Sequence, residues 1–124
     1  MSNRVRFIEY KERQILLFDF SGITDEVTAL EAIEEGPAFV AGLEADGSLL
    51  TLTDVTDSTS TSAIAKALYR LAKHNKPYVK AGAVVGVSGL EKSVFLLVSN
   101  LARRSFKVFD DRDAAQEWLV QIDA

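Results

Sequence analysis

Apolar residues recur along this chain in two different rhythms, and the rhythms alternate. Arg4 to Tyr10 mixes polar and apolar positions, which predicts a strand; Arg4 and Arg6 suit an edge, where charge discourages sheet-to-sheet pairing. After a polar turn at Lys11-Glu12-Arg13 comes ILLFDF, Ile15 to Phe20, too continuously apolar to have one wet face. Such a run predicts an interior strand buried on both sides, and the short connection predicts an antiparallel hairpin. Leu49 to Val55, Ala81 to Val87 and Ser105 to Phe109 predict three further strands.

Helical spacing fills the intervals. Thr24 is positioned to cap a helix that opens on Asp25-Glu26 and carries Val27, Leu30 and Ile33 at helical spacing. Gly36-Pro37 predicts a kink or break there, with AFVAGL resuming as a second piece, because proline removes a backbone donor. Ile64, Ala67, Leu68, Leu71 and Ala72 form a one-sided stripe, opposed by Lys66, Arg70 and Lys73 and stopped by Asn75 and Pro77. Ser88-Gly89-Leu90-Glu91 reads as a capping box before a helix faced by Leu90, Val94, Leu97, Val98 and Leu101, widened by Phe95 and Leu96. Asp110-Asp111 opens a closing helix whose core side holds Ala114, Ala115, Trp118, Leu119 and Ile122. The order predicts one α/β domain over residues 1–124. Its mixed five-stranded sheet has an antiparallel first strand, the rest mainly parallel, with helices packed on it.

Composition narrows the chemistry. The chain has 124 residues and no cysteine, which removes thiol catalysis, disulfides and cysteine-ligated zinc. A net charge of −4 speaks against a general nucleic-acid binder. The charged start and the lack of a long apolar run predict a cytoplasmic protein without stable membrane insertion. Charge is unevenly distributed: no Lys or Arg falls between Gln14 and Ala65, whereas Lys66, Arg70, Lys73, Lys76 and Lys80 follow closely. Two oppositely charged faces are one consequence, with the potential to steer a charged partner.

Candidate reactive groups are few. His74, the sole histidine, falls in the last turn of a helix and reads as structural. Asp19, Asp54 and Asp57 lie at or just past strand ends, where a hard cation could be held through oxygen, but capping and solvation explain them better, so no metal site is assigned. Gly82, Gly86 and Gly89 surround a strand-to-helix turn without forming a phosphate-binding fingerprint. Ser88 sits outside any complete nucleophile-elbow pattern and reads as a cap. No base accompanies a nucleophile, so no catalytic residue, cofactor or enzymatic activity is expected, and a small hydrolase ranks last. The run Asp57-Ser58-Thr59-Ser60-Thr61-Ser62 offers helix caps, and a phosphate there would meet the positive end of a helix.

The segment Tyr78 to Leu119 resembles the C-terminal half of SpoIIAA-like proteins, within the wider STAS and Sec14-like architecture. Its AVVGVSGL strand-turn-helix, FKVFDD strand end and AAQEWL closing helix carry the likeness. The resemblance implies a non-enzymatic interaction or regulatory module. It also makes Asp57-Ser58 the counterpart of the Asp-Ser phosphoacceptor motif of STAS anti-sigma-factor antagonists. Those proteins continue with a small residue, glycine and an aliphatic residue, where this chain has Thr59, Ser60 and Thr61. Asp57, Ser58, Thr59 and Ser60 are therefore the candidate phosphoacceptor or partner-contact residues. The Sec14-like branch implies the alternative, a small apolar or lipid-like ligand in a pocket near Phe39, Phe95 and Leu96. A homodimer through the wide apolar helix or the first strand completes the expectations.

Overall fold

The computed structural model describes residues 3–59, 61–87 and 105–122. Strand β1 (Val5–Tyr10) turns back into β2 (Arg13–Asp19) as an antiparallel hairpin. Then follow helix α1 (Glu26–Val40), β3 (Leu49–Asp54), α2 (Ser62–Asn75), β4 (Val79–Val85), β5 (Ser105–Phe109) and α3 (Arg112–Val120). The sheet order is β1-β2-β3-β4-β5, with every pair after the hairpin parallel. The expected mixed sheet is therefore present, with β1 at one edge.

The apolar run of β2 is explained by its two faces. Leu16 and Phe18 enter a core with Ala29, Ala32, Ile33 and Val40 of α1 and Ile64, Ala67 and Leu71 of α2. Ile15 and Leu17 enter a second core on the opposite face, with Leu52, Ala83, Val85 and Ala115 and Leu119 of α3. Consecutive side chains of a strand point to opposite sides, so a strand covered on both sides has no polar alternation to show.

Helix α1 departs from expectation in three ways. Its cap is Asp25 rather than Thr24: the Asp25 carboxylate accepts from the backbone N–H of Thr28 at 2.9 Å and from its hydroxyl at 2.8 Å. The helix also runs without interruption through Pro37 to Val40. Proline there forfeits a single N–H donor, the one that would bond the Ile33 carbonyl, and burial of Val40 holds the last turn in place. Gly36 contributes too, since a Cβ there would stand 2.6 Å from Leu71 Cδ1 and 3.2 Å from Phe18 Cε1. Finally, the buried stripe is Ala29, Ala32, Ile33, Gly36 and Val40, and Val27 faces outward. Small residues permit close approach to the sheet and share the inward face with Ile33 and Val40.

Strand and cap limits shift slightly elsewhere. Strand β4 begins at Val79 and ends at Val85, and Ala114 of α3 is exposed while Val120 is buried. Trp118 lies half-buried against Phe109, ring centroids 5.6 Å apart. The predicted capping box at Ser88-Glu91 and the helix carrying Phe95 and Leu96 lie outside the described residues, as does Ser60.

Candidate functional site at the sheet's carboxyl edge

Parallel strands deliver the residues that follow them to one rim of the sheet, the position where open α/β folds place their sites. Here β2 and β3 end on aspartates in direct register, Asp19 opposite Asp54, with Val85 beside Asp54 on β4. Asp54 is buried at 5% exposure, and Asp19 is partly buried. Two neighbouring carboxylates at that depth require compensation. It comes from Arg112, the first residue of α3: its Nε donates to Asp54 Oδ2 at 2.6 Å and its Nη2 lies 3.1 Å from Asp19 Oδ1.

Each carboxylate also accepts from its own strand end. The backbone N–H of Thr56 donates to Asp54 Oδ1 at 2.9 Å, and the hydroxyl of Ser21 donates to Asp19 Oδ1 at 2.5 Å. Burial works against ionisation of Asp19, but the hydroxyl and N–H of Ser21 together with Arg112 outweigh it and hold the carboxyl below the usual range. Burial likewise opposes the Arg112 charge, and Asp54 and Asp19 overcome it, pushing the guanidinium above its already high range. Among the described residues no group of three or more His, Cys, Asp or Glu is placed to hold a metal ion. The guanidinium occupies the position between the two strand-end aspartates, with Asp57 apart from them in the following loop.

That loop is tightly formed. Asp57 is exposed with φ 55°, in the left-handed region. The Ser58 hydroxyl donates to the carbonyl of Val55 at 2.7 Å, and the N–H of Thr59 donates to the carbonyl of Ile23 at 2.7 Å. Thr61, rather than Ser58, caps α2 by accepting from the N–H of Ile64 at 3.2 Å. It also donates to Glu26 Oε1 at 2.5 Å, tying the starts of α1 and α2 together. Gly86 closes the rim from the β4 side: with φ 88° it lies so near Thr56 that a Cβ would meet the Thr56 nitrogen at 2.6 Å. Close backbone approach thus accounts for this glycine.

The other candidates are dispersed. His74 is exposed at the end of α2, its ring stacked on Tyr78 at 5.9 Å and its Nδ1 2.9 Å from Asn75 Oδ1. Phe39 is 37% exposed and packs edge-on against Phe7, centroids 5.7 Å apart, at the open side of α1. Its predicted pocket partners, Phe95 and Leu96, fall outside the described residues. Arg112 is the central residue that reading the chain alone passed over. Its signal was present but faint: two strands ending on aspartate, LLFD and LTLTD, and an arginine directly after the Asp110-Asp111 pair.

An antiparallel hairpin leading into a parallel sheet, with a pinned loop before α2, defines a small α/β domain of the STAS type. The chain belongs to the SpoIIAA-like family, whose model matches residues 17–120. In structure it is similar to an uncharacterized protein of the DUF3478 family with a SpoIIAA-like fold from Shewanella loihica PV-4. The TM-score is 0.70 at 18% identity, covering 93% of this chain and 91% of the other. No protein with a curated description matches the chain in sequence. Among the described residues no helix is long and apolar enough to cross a membrane.

Proposed function

We propose that this protein is a non-enzymatic interaction or regulatory module, with the loop from Asp57 to Ser62 and the start of α2 as its contact surface. The observation that carries the reading is the contrast at the carboxyl rim. The polar groups best placed for chemistry, Asp19, Asp54 and Arg112, are engaged with one another. The adjoining loop is held in shape by backbone bonds while Asp57 remains exposed. A pre-shaped loop binds with a smaller ordering penalty than a mobile one.

The hydroxyl of Ser58 is half-buried and donates to Val55, so a phosphate on it would break that bond, add nearly two charges and reshape the loop. Modification at Ser58 is thus the regulatory event this reading favours. A photo-crosslinking residue at position 57, in cells of the source organism, should trap a discrete protein adduct that Ser58→Asp weakens. The same probe at Gln116, on α3, should not. Equal adducts at both positions, or none at either, would remove the basis for the reading.

A further inference from the structure

The two helices on one side of the sheet carry opposite charges on their outward faces. Helical periodicity turns Val27, Glu31, Glu34 and Ala38 of α1 away from its buried stripe. On α2 the corresponding outward positions are Ser62, Lys66, Tyr69 and Lys73, flanked by Arg70. Among the described residues the side chains of Glu31, Glu34, Lys66, Arg70 and Lys73 make no ion pair. Val27 is 63% exposed, the most open of the large apolar side chains described. An open depression of about 350 Å³ on α2 is lined by Ala65, Lys66, Tyr69 and Arg70.

The heights of these groups are matched. The bond from Thr61 to Glu26 aligns the first turns of the two helices. Both helices connect parallel strands and pack on the same face, so they run in the same direction. Glu31 then lies level with Lys66, and Glu34 level with Tyr69 and Arg70. A half-turn about an axis parallel to the helices carries α1 of one copy over α2 of another and leaves height unchanged. It sets Glu31 opposite Lys66 of the second copy and Glu34 opposite Arg70, twice over. Val27 is brought toward Ser62 at the same end of the face. The alternative half-turn, about an axis across the helices, would set acid on acid. A closed two-fold pairing of this kind needs only one self-complementary surface.

We propose that the α1–α2 face binds a second copy of this chain, forming a two-fold dimer held by Glu31 and Glu34 of each copy against Lys66 and Arg70 of the other. This interface shares Ser62 and the start of α2 with the surface proposed for the Asp57 loop, but its test does not depend on that reading. Each helix is roughly 22 Å long at 1.5 Å per residue, so the footprint lies near the low end for specific association. The dimer is accordingly weak, and it is salt-sensitive because exposed ion pairs are screened.

Sedimentation velocity of the full chain in low and high salt tests this directly, using two double variants. Glu31→Lys with Glu34→Lys makes both helices basic; Lys66→Glu with Arg70→Glu makes both acidic. All four positions are surface-facing, so folding should survive, and circular dichroism checks it. The wild type should dimerise in low salt and dissociate in high salt. Each double variant alone should lose at least about tenfold in association constant, and an equimolar mixture of the two should recover a heterodimer. A wild-type monomer in low salt, variants that dimerise like the wild type, or a mixture that stays monomeric would each overturn the proposal. A monomer whose Lys66 face instead binds an acidic peptide would do the same.

Discussion

Gly86 and the Lys11-Glu12 pair all hold left-handed backbone, for opposite reasons. At Gly86 the conformation is imposed by contact, because Thr56 occupies the space a side chain would need. Gly86→Ala should therefore lower stability by about 3 kcal/mol or more, combining backbone strain with a clash against main chain, and a denaturant melt would show it. At Lys11 and Glu12, with φ 50° and 68°, the conformation is imposed by the two-residue hairpin joining Tyr10 to Arg13. Such turns want glycine, since their twist matches that of the strands only when φ is positive at both central residues. Glu12→Gly should stabilise the protein by about 0.5–1 kcal/mol, measurable as a higher denaturation midpoint at unchanged slope. Loss of stability would mean that Glu12 serves a contact outweighing its strain. Lys11 is the poorer position to change, because it pairs with Glu117 of α3. Turn polarity was readable in the chain; the strain was not, because Lys and Glu carry no signature of left-handed backbone.

Helix α3 is fastened to the sheet from both ends, which explains how nine residues hold a defined place. At its start Arg112 bridges Asp54 of β3 and Asp19 of β2. Past its end Arg13 Nη1 donates to the carbonyls of Val120 and Ile122, at 3.2 and 2.7 Å. Removing the guanidinium leaves a buried carboxylate facing its neighbour without a counter-charge. Arg112→Ala should destabilise by about 2–3 kcal/mol, below the full value for a buried pair because Arg112 itself is partly exposed. Arg112→Lys should recover only part of this, since a single ammonium cannot reproduce the planar fork that reaches two carboxylates. Adding Asp54→Asn to Arg112→Ala should restore stability relative to Arg112→Ala alone. An additive double variant in thermal melts would count against the coupling. Element by element, the chain announced existence and order well, since periods of 2 and 3.6 are local properties. On α1 it placed Ile33 and Leu30 correctly toward the core but not Val27, and it passed over Ala29, Ala32 and Gly36, because alanine and glycine rank low as core signals until the partner surface is known.

Over the whole molecule, the low-pH limit follows from the carboxylates whose ionised forms the fold favours. For Asp19, burial is outweighed by Ser21 and Arg112; Asp25 is held down by Thr28, Asp46 by Ser48, and Glu117 by Lys11 and Tyr10. Each ionises at lower pH folded than unfolded, so the unfolded chain binds more protons. Their contribution is complete above the ordinary carboxylate range, near 4, and is lost as pH falls through the folded values. Chemical denaturation should show stability falling from about pH 5 downward, with a shallower fall in Asp19→Asn. At the alkaline end Tyr10 and Lys11 are both raised, chiefly by hydrogen bonds to Glu117. Their contribution is present below their ordinary values near 10 and disappears as pH rises through the folded ones. A flat profile between pH 3 and 6 would contradict the arrangement at the rim.

By itself the chain determined the alternation of strands and helices, the hairpin, the interior place of β2 and the parallel sheet, because burial on one or two faces leaves a direct periodic trace. Its likeness to SpoIIAA-like proteins was also legible, since strand ends and helix starts carry short recognisable strings. Only the tertiary structure decided that Arg112 lies between Asp19 and Asp54 and that Thr61 bonds Glu26 across the starts of the two helices. The ion pairs of Arg112 and the bond from Thr61 to Glu26 join residues 35 to 93 positions apart, and no local period encodes a distance of that kind.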